Sequence, residues 1–300
     1  MAKARALDRR RKSVRNIRKI TRTMELIATA RFKKAMDRSI AARDYTKQLA
    51  KILENIAGAG ADVVHPLLDV RPTERAAVLV LTGNRGLCGG YNSNVVRQSV
   101  ALLGQWKSEH VDADLAVSGK RGISALKFRG YDMAERYTNF EDKPEFDAVA
   151  PIGRAYLEAY AAKKIDRLDV VYTKFHSIAR QEAVTETLLP LKPPEATGGP
   201  DATGKAGPAA SLASNEYDFY PSAESILEEI LPASFLSRLF KCFLDAAVSE
   251  QVARMVAMKA ATENAGGLIK SLSRQYNRAR QSQITGEIME ILGGVEALKK

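Results

Sequence analysis

The chain has 300 residues, 45% of them hydrophobic, with two cysteines and 46 basic against 35 acidic side chains, a net charge of +11. That is one large or two ordinary domains with apolar content enough for a core, which excludes a disordered chain, and two distant cysteines exclude a disulfide framework and fit a reducing compartment. No run of eighteen apolar residues occurs, which excludes a transmembrane helix.

Residues Lys3 to Ala57 contain neither proline nor glycine, and Val14, Ile17, Ile20, Met24 and Ile27 step by three and four. The spacing predicts one long helix, stopped by Gly58 and Gly60. Its first 22 residues carry ten Lys or Arg against Asp8 alone. Positive charge at a helix N-terminus opposes the helix dipole, so this is either a solvated basic face or a surface whose cost a partner offsets. The apolar repeat runs on from the Arg-rich start without a break, which reads as mature protein rather than a targeting segment.

After a loop through His65, Pro66 and Pro72 the pattern changes. Ala76 to Leu81 (AAVLVL) is a continuous apolar run typical of a buried strand, followed by the glycine-rich TGNRGLCGGYN and a helical stretch from Asn92 to Trp106. Ala113 to Val117 is the next strand, leading through Gly119 to a helix near Ser124. Gly130 to Tyr137 reads as a third strand, Phe146 to Lys163 as a helix, and Leu168 to Lys174 and Ala183 to Leu191 as further strands. Strands alternating with helices predict an open, mostly parallel α/β sheet, a small Rossmann-like domain over residues 74–191.

Residues 192–215 are rich in Pro, Gly, Ala and Ser and read as a flexible loop. An aromatic patch, Tyr217, Phe219 and Tyr220, precedes Pro221. Pro232 is expected to kink or interrupt the final helical region, with an unbroken helix from Ala233 to Leu298. Within it Ile269, Leu272, Tyr276 and Ala279, then Ile284, Ile288, Ile291, Val295 and Leu298, keep helical steps with one slip in register. Gly266 and Gly267 together cost ~2 kcal/mol of helix propensity, so this helix needs a partner. The helix of residues 1–60 is the obvious one, and the two pair as an antiparallel coiled coil, 1–60 with 216–300. The C-terminal member is longer by roughly 15 Å. Its last turns, with Ile284, Ile288, Met289, Ile291, Leu292, Val295 and Leu298, then stand alone, an apolar tip that another protein must sheathe.

The glycine cluster from Gly83 to Gly90 is neither G-x-G-x-x-G nor a Walker loop, and it reads as a tight turn rather than a nucleotide site. His65, His110 and His176 lack metal-ligand spacing, and Cys88 reads as a packed thiol. The acidic neighbours Glu228 and Glu229 do not face each other on a helix. No catalytic constellation, cofactor or small-molecule substrate follows. The polar run Arg278, Arg280, Gln281, Gln283 and Thr285 is either a solvated face or a set of donors to a surrounding protein.

Four segments, IRKITRTMELIATARFKKA (17–35), RGLCGGYN (85–92), KFHSIARQEAVTETLLPL (174–191) and the run from Ser249 to Ile291, resemble the gamma subunit of F-type ATP synthases, and the match covers nearly the whole chain in order. The resemblance implies a non-catalytic central rotor shaft. Its terminal helices would pass into a ring of alternating alpha and beta subunits, and its α/β domain would sit beside the epsilon subunit and the membrane c-ring. The location implied is peripheral, on the cytoplasmic face of a bacterial inner membrane. By resemblance Met24, and less directly Lys19 and Arg22, would lie near an acidic loop of a beta subunit. Arg280, Gln281 and Thr285 would contact a loop of an empty-state beta subunit. The paired regulatory cysteines of chloroplast-type relatives are absent, so thiol control is not expected.

Two other classes fit parts of the chain. A basic coiled-coil nucleic-acid-binding protein would explain the N-terminus, and its binding would respond steeply to salt. A stand-alone nucleotide-binding enzyme would explain the α/β core.

Overall fold

The computed structural model describes residues 2–58, 65–140, 143–191 and 223–298. Residues 192–215, the aromatic patch before Pro221 and Gly60 lie outside them. In order the elements are α1 (Ala2–Gly58), β1 (Arg75–Leu81), α2 (Tyr91–Ser108), β2 (Asp112–Ser118), α3 (Lys120–Phe128), β3 (Glu135–Tyr137), α4 (Phe146–Ala161), β4 (Arg167–Phe175), β5 (Gln181–Leu189) and α5 (Ala223–Leu298). They form two compact units, one of residues 31–252 and one of residues 1–30 with 253–300, so both long helices contribute to each.

The larger unit is built on a five-stranded sheet of order β3-β2-β1-β4-β5. Its first four strands are parallel, and β5 returns antiparallel to β4 at the edge. Side chains of a strand alternate between faces, and β1 shows why its sequence is apolar throughout. Ala77, Leu79 and Leu81 enter one core with Val149, Ile152 and Tyr160 of α4 and Leu231, Phe235, Leu239 and Phe243 of α5. Ala76, Val78 and Val80 enter a second core with Val95, Val96, Leu103 and Trp106 of α2 and Leu126 of α3. Gly153 is what lets α4 approach α5, since a Cβ there would collide with the Leu236 side chain. The later part of α1 belongs to this unit too: Phe32 packs on Phe175 with ring centroids 6.3 Å apart, and the Thr46 and Ser237 hydroxyls share a hydrogen bond of 2.8 Å.

Two expectations need correction. The strand expected over residues 130–137 shrinks to three residues, because Gly130 closes a turn at φ +80 and only Glu135–Tyr137 pairs with β2. The final helix starts at Ala223 and passes through Pro232 instead of being interrupted there. Proline inside a helix costs about 3 kcal/mol, but Leu227, Leu231, Phe235 and Leu239 at steps of four are all buried, and each such burial returns roughly 1.5–3 kcal/mol. Tertiary packing wins over local propensity.

Candidate functional site

In open α/β sheets ligands bind outside the carboxyl ends of the strands where strand order reverses, which here is between β1 and β4. That crevice is filled by α5. Tyr91 Oη donates to the Ala246 carbonyl at 3.1 Å, and Ser249 Oγ donates to the Thr173 carbonyl at 3.1 Å. The space left among Leu81, Thr82, Tyr91, Phe243, Ala246 and Glu250 is about 30 Å³. A drug-sized ligand needs roughly 300 Å³ or more, so a nucleotide does not fit. The glycine-rich turn is also internally satisfied. Gly83 N–H donates to Asn92 Oδ1 at 2.8 Å, and Asn84 Nδ2 donates to the Thr138 and Phe140 carbonyls at 3.1 and 2.8 Å. Leu87 at φ 63 and Gly89 at φ 56 make the tight bend, and Cys88 is buried, accepting from Asn92 Nδ2 at 3.1 Å. The tight-turn and packed-thiol readings both hold.

Beside this crevice a polar cluster joins α5 to the sheet. Tyr172 Oη donates to Glu186 Oε2 at 2.6 Å, and Arg238 Nη2 lies 3.4 Å from Glu186 Oε1. Burial pushes Glu186 up, but the Tyr172 hydrogen bond with Lys174, Arg238 and Lys241 together outweighs it and holds the carboxyl below its usual range. Asp245 ends up shifted the opposite way: burial raises it to about 6, with Lys241, Lys174 and Arg43 opposing and Glu186 adding. Burial likewise raises the Cys242 thiol, which keeps it an unreactive packed group. His65 is structural: its Nδ1 accepts the Leu67 N–H at 3.1 Å, and burial lowers its pKa.

The surface with unspent chemistry lies in the unit of residues 1–30 and 253–300. Arg11 stacks over the Tyr276 ring at 4.6 Å, and Thr262 Oγ1 donates to Thr21 Oγ1 at 2.8 Å. Rising numbers on α1 thus meet falling numbers on α5, an antiparallel pair as expected. The seam on α5 follows the expected Ile269, Leu272, Tyr276 and Ala279, all buried or half-buried, and extends back through Ala265 and Met258. The Arg18 guanidinium covers Gly266, lying 3.8 Å from where a Cβ would be.

The seam on α1 is not the expected one. It runs through Val14, Arg18, Thr21, Glu25 and Ala28, with Thr21, Glu25 and Ala28 buried. Of the expected stripe only Val14 is shared; Ile17, Ile20, Met24 and Ile27 are 49%, 58%, 37% and 43% exposed. At about 100° per residue this outer apolar stripe lies roughly 100° round the helix from the seam. The physical reason is close approach: Ala28 and Ala265, at 0% and 4% exposure, have no bulk, so the helices meet on small and hydroxyl side chains. A third face of α1 is basic. Lys12, Arg15, Arg18, Lys19 and Arg22 line a groove of about 1180 Å³ along the helix pair, and none of the described residues lining it is acidic. Asp8 sits nearby, bridging Lys12 at 3.0 Å and Arg11 at 2.6 Å, and both hydrogen bonds hold its carboxyl below the usual range.

The structure therefore brings Lys19 and Arg22 together in the groove and sets Met24 about 140–160° away, on the apolar stripe. Arg22 also bridges Glu25 at 2.8 Å. On α5, Arg280, Gln281 and Thr285 are exposed, and so are Ile284, Ile288, Ile291, Leu292 and Val295, the last five at 43% to 67%. Leu298 ends the helix, and its side chain is outside the described residues. The stripe of Ile284, Ile288, Ile291 and Val295 lies about 100° round the helix from the seam, which is the register slip seen in the sequence. From Ile284 onward α5 runs roughly 20 Å past the last seam contacts. The stacking of Arg11 on Tyr276 and the α1 seam of Thr21, Glu25 and Ala28 were both missed by periodicity, which counts large apolar residues and not small or polar ones.

A family model described as ATP synthase matches residues 3–298. The chain is 59% identical to the ATP synthase gamma chain of Rhodopirellula baltica over 300 residues, covering all of both. It is 41% identical to that of Frankia casuarinae, covering 97% of this chain and 96% of the relative. Among solved structures it resembles a chain of the Euglena gracilis mitochondrial ATP synthase OSCP/F1/c-ring assembly, with TM-score 0.67 and 20% identity over 99% of this chain and 95% of that one. A chain of the Euglena gracilis rotor matches with TM-score 0.62 and 19% identity over 94% and 99%. At that identity the likeness is one of fold.

Proposed function

Since the chain belongs to the ATP synthase gamma-chain family, we propose that it is the central rotor shaft of an F-type ATP synthase, coupling proton flow through a membrane ring to conformational cycling of catalytic beta subunits. The observation that carries this reading is the exposed apolar stretch of α5 that outlasts its helical partner. Isolated in water such a surface promotes aggregation; enclosed by a collar of alpha and beta subunits it becomes a bearing. In this role residues 1–60 and 216–300 serve as the shaft and 74–191 as its base, beside the epsilon subunit and the c-ring.

Lys19 and Arg22 in the basic groove suit an acidic loop of a beta subunit, with Met24 packing beside it from the apolar stripe. Arg280, Gln281 and Thr285 supply hydrogen-bond donors and acceptors to an empty-state beta subunit, and Ile284, Ile288, Ile291, Leu292, Val295 and Leu298 fill the collar. Three identical catalytic subunits around one asymmetric shaft meet different faces of it, and only such differential contact biases their conformations. Moving a site from 1:99 to 99:1 requires about 5.5 kcal/mol of preference, which a few charged contacts plus apolar packing supply. The three unlike faces of α1 provide the asymmetry.

The chain works without a cofactor or catalytic residues of its own. No helix among the described residues is long and apolar enough to cross a membrane. Attachment to the cytoplasmic face of a bacterial inner membrane then runs through the c-ring. The nucleic-acid reading finds no support in the family match, and the filled crevice argues against a nucleotide enzyme. The test is co-purification: a tagged chain is expected to bring down a large assembly with ATPase activity, and recovery as a lone monomer from a cell that makes the other subunits would overturn the reading.

A further inference from the structure

We infer that Glu250 is a positioning residue whose carboxylate seats α5 in the glycine turn at the crest of the sheet, where open α/β folds hold an anionic ligand. Gly83 ends the path of β1, and a Cβ built there would lie 2.8 Å from Glu250 Cδ and Oε1 and 2.9 Å from Oε2. The carboxylate thus lies flat against the Gly83 backbone, an approach open only to glycine. Glu250 is 9% exposed, and the turn of α5 that carries it is tied on both sides, by Ser249 to the end of β4 and by the Ala246 carbonyl to Tyr91 of α2.

A buried carboxylate is a poor way to gain stability, because desolvation offsets most of the attraction and apolar side chains of similar size hold as well. What it adds is register. An apolar face can slide by a turn over its neighbour, whereas a charge lodged against one glycine fits at one position. Resting on the rotor reading, the consequence is mechanical: Glu250 keeps α5 from slipping against the sheet when torque passes between them.

The contact and the consequence are tested separately. In the full chain E250A is expected to lower the thermal midpoint. Sodium formate at tens of millimolar is expected to recover much of that loss, while sodium chloride of equal ionic strength does not and the wild-type midpoint stays put. G83A is expected to destabilise the wild type and to cost less once Glu250 is Ala, since the three atoms its Cβ would strike first, all of the Glu250 carboxylate, are then gone. Formate acting alike on wild type and variant, or G83A costing the same in both backgrounds, overturns the contact. In the complete assembly E250Q, which keeps the shape and removes the charge, is expected to lower the ratio of ATP-driven proton pumping to ATP hydrolysis by about twofold or more, with hydrolysis retained. An unchanged ratio overturns the mechanical role. If even the wild-type chain couples nothing, the rotor reading fails, and the formate result still decides the contact.

Discussion

Gly119 links β2 to α3 at φ +102, and a Cβ on it would drive into the Thr82 carbonyl. Strain and collision act together, so Gly119→Ala is expected to cost upwards of about 3 kcal/mol, read from urea unfolding of the full chain. Asp245 makes a prediction of opposite sign. Its folded pKa is raised by burial to about 6 from 3.8, so the folded chain holds this proton more tightly than the unfolded one. Its contribution is therefore most favourable below pH 3.8, falls as pH rises toward 6 and stays low above. Asp245→Asn is expected to raise stability at pH 7.5 by roughly 1–3 kcal/mol, with the difference gone near pH 4. A gain that persists undiminished at pH 4 would contradict it. Neither site was legible in the sequence: Gly119 reads as one more turn residue, and Asp245 as a polar position on a helix, until the sheet closes around them.

The helices teach a different lesson. Periodicity located α1 to within a residue at each end, but it chose the wrong face for the seam, because Ile17, Ile20, Met24 and Ile27 are the larger apolar group and the true seam is built on Thr21, Glu25 and Ala28. The hydrophobic pattern marks every face that will be covered, by self or by partner, without saying which. The sheet was easier, since β1 beyond Arg75 is apolar on both faces, as a doubly covered parallel strand must be, although β4 hides Asp169 and Thr173 among its apolar residues. Two opposed predictions follow. Ile20→Asn on the outer stripe is expected to change the unfolding free energy of the isolated chain by less than about 0.5 kcal/mol and to reduce its incorporation into the assembly. Ala28→Leu, pressed into the seam, is expected to cost about 1–3 kcal/mol in the isolated chain. Equal effects of the two on stability would mean that the faces have been assigned wrongly.

For the whole molecule the family and the long terminal helices were readable from the sequence, while the filled crevice beneath α5 was not, since nothing in a linear pattern shows one helix occupying another element's ligand site. If the chain is a shaft, its reach matters more than any one contact. Removing everything after Lys270 takes away the exposed tip along with Arg280, Gln281 and Thr285, and is expected to weaken coupling of proton flow to ATP synthesis far more than Arg280→Ala alone. Full coupled synthesis by the truncated assembly would contradict that ordering. The most direct measurement holds the catalytic head of the purified assembly on a surface and attaches a visible probe to an exposed residue of the α/β unit, such as Phe128 replaced by Cys. On adding ATP the probe is expected to turn continuously in one direction. A probe that stays still, or merely jitters, while the same complexes hydrolyse ATP would show that this chain is no rotor.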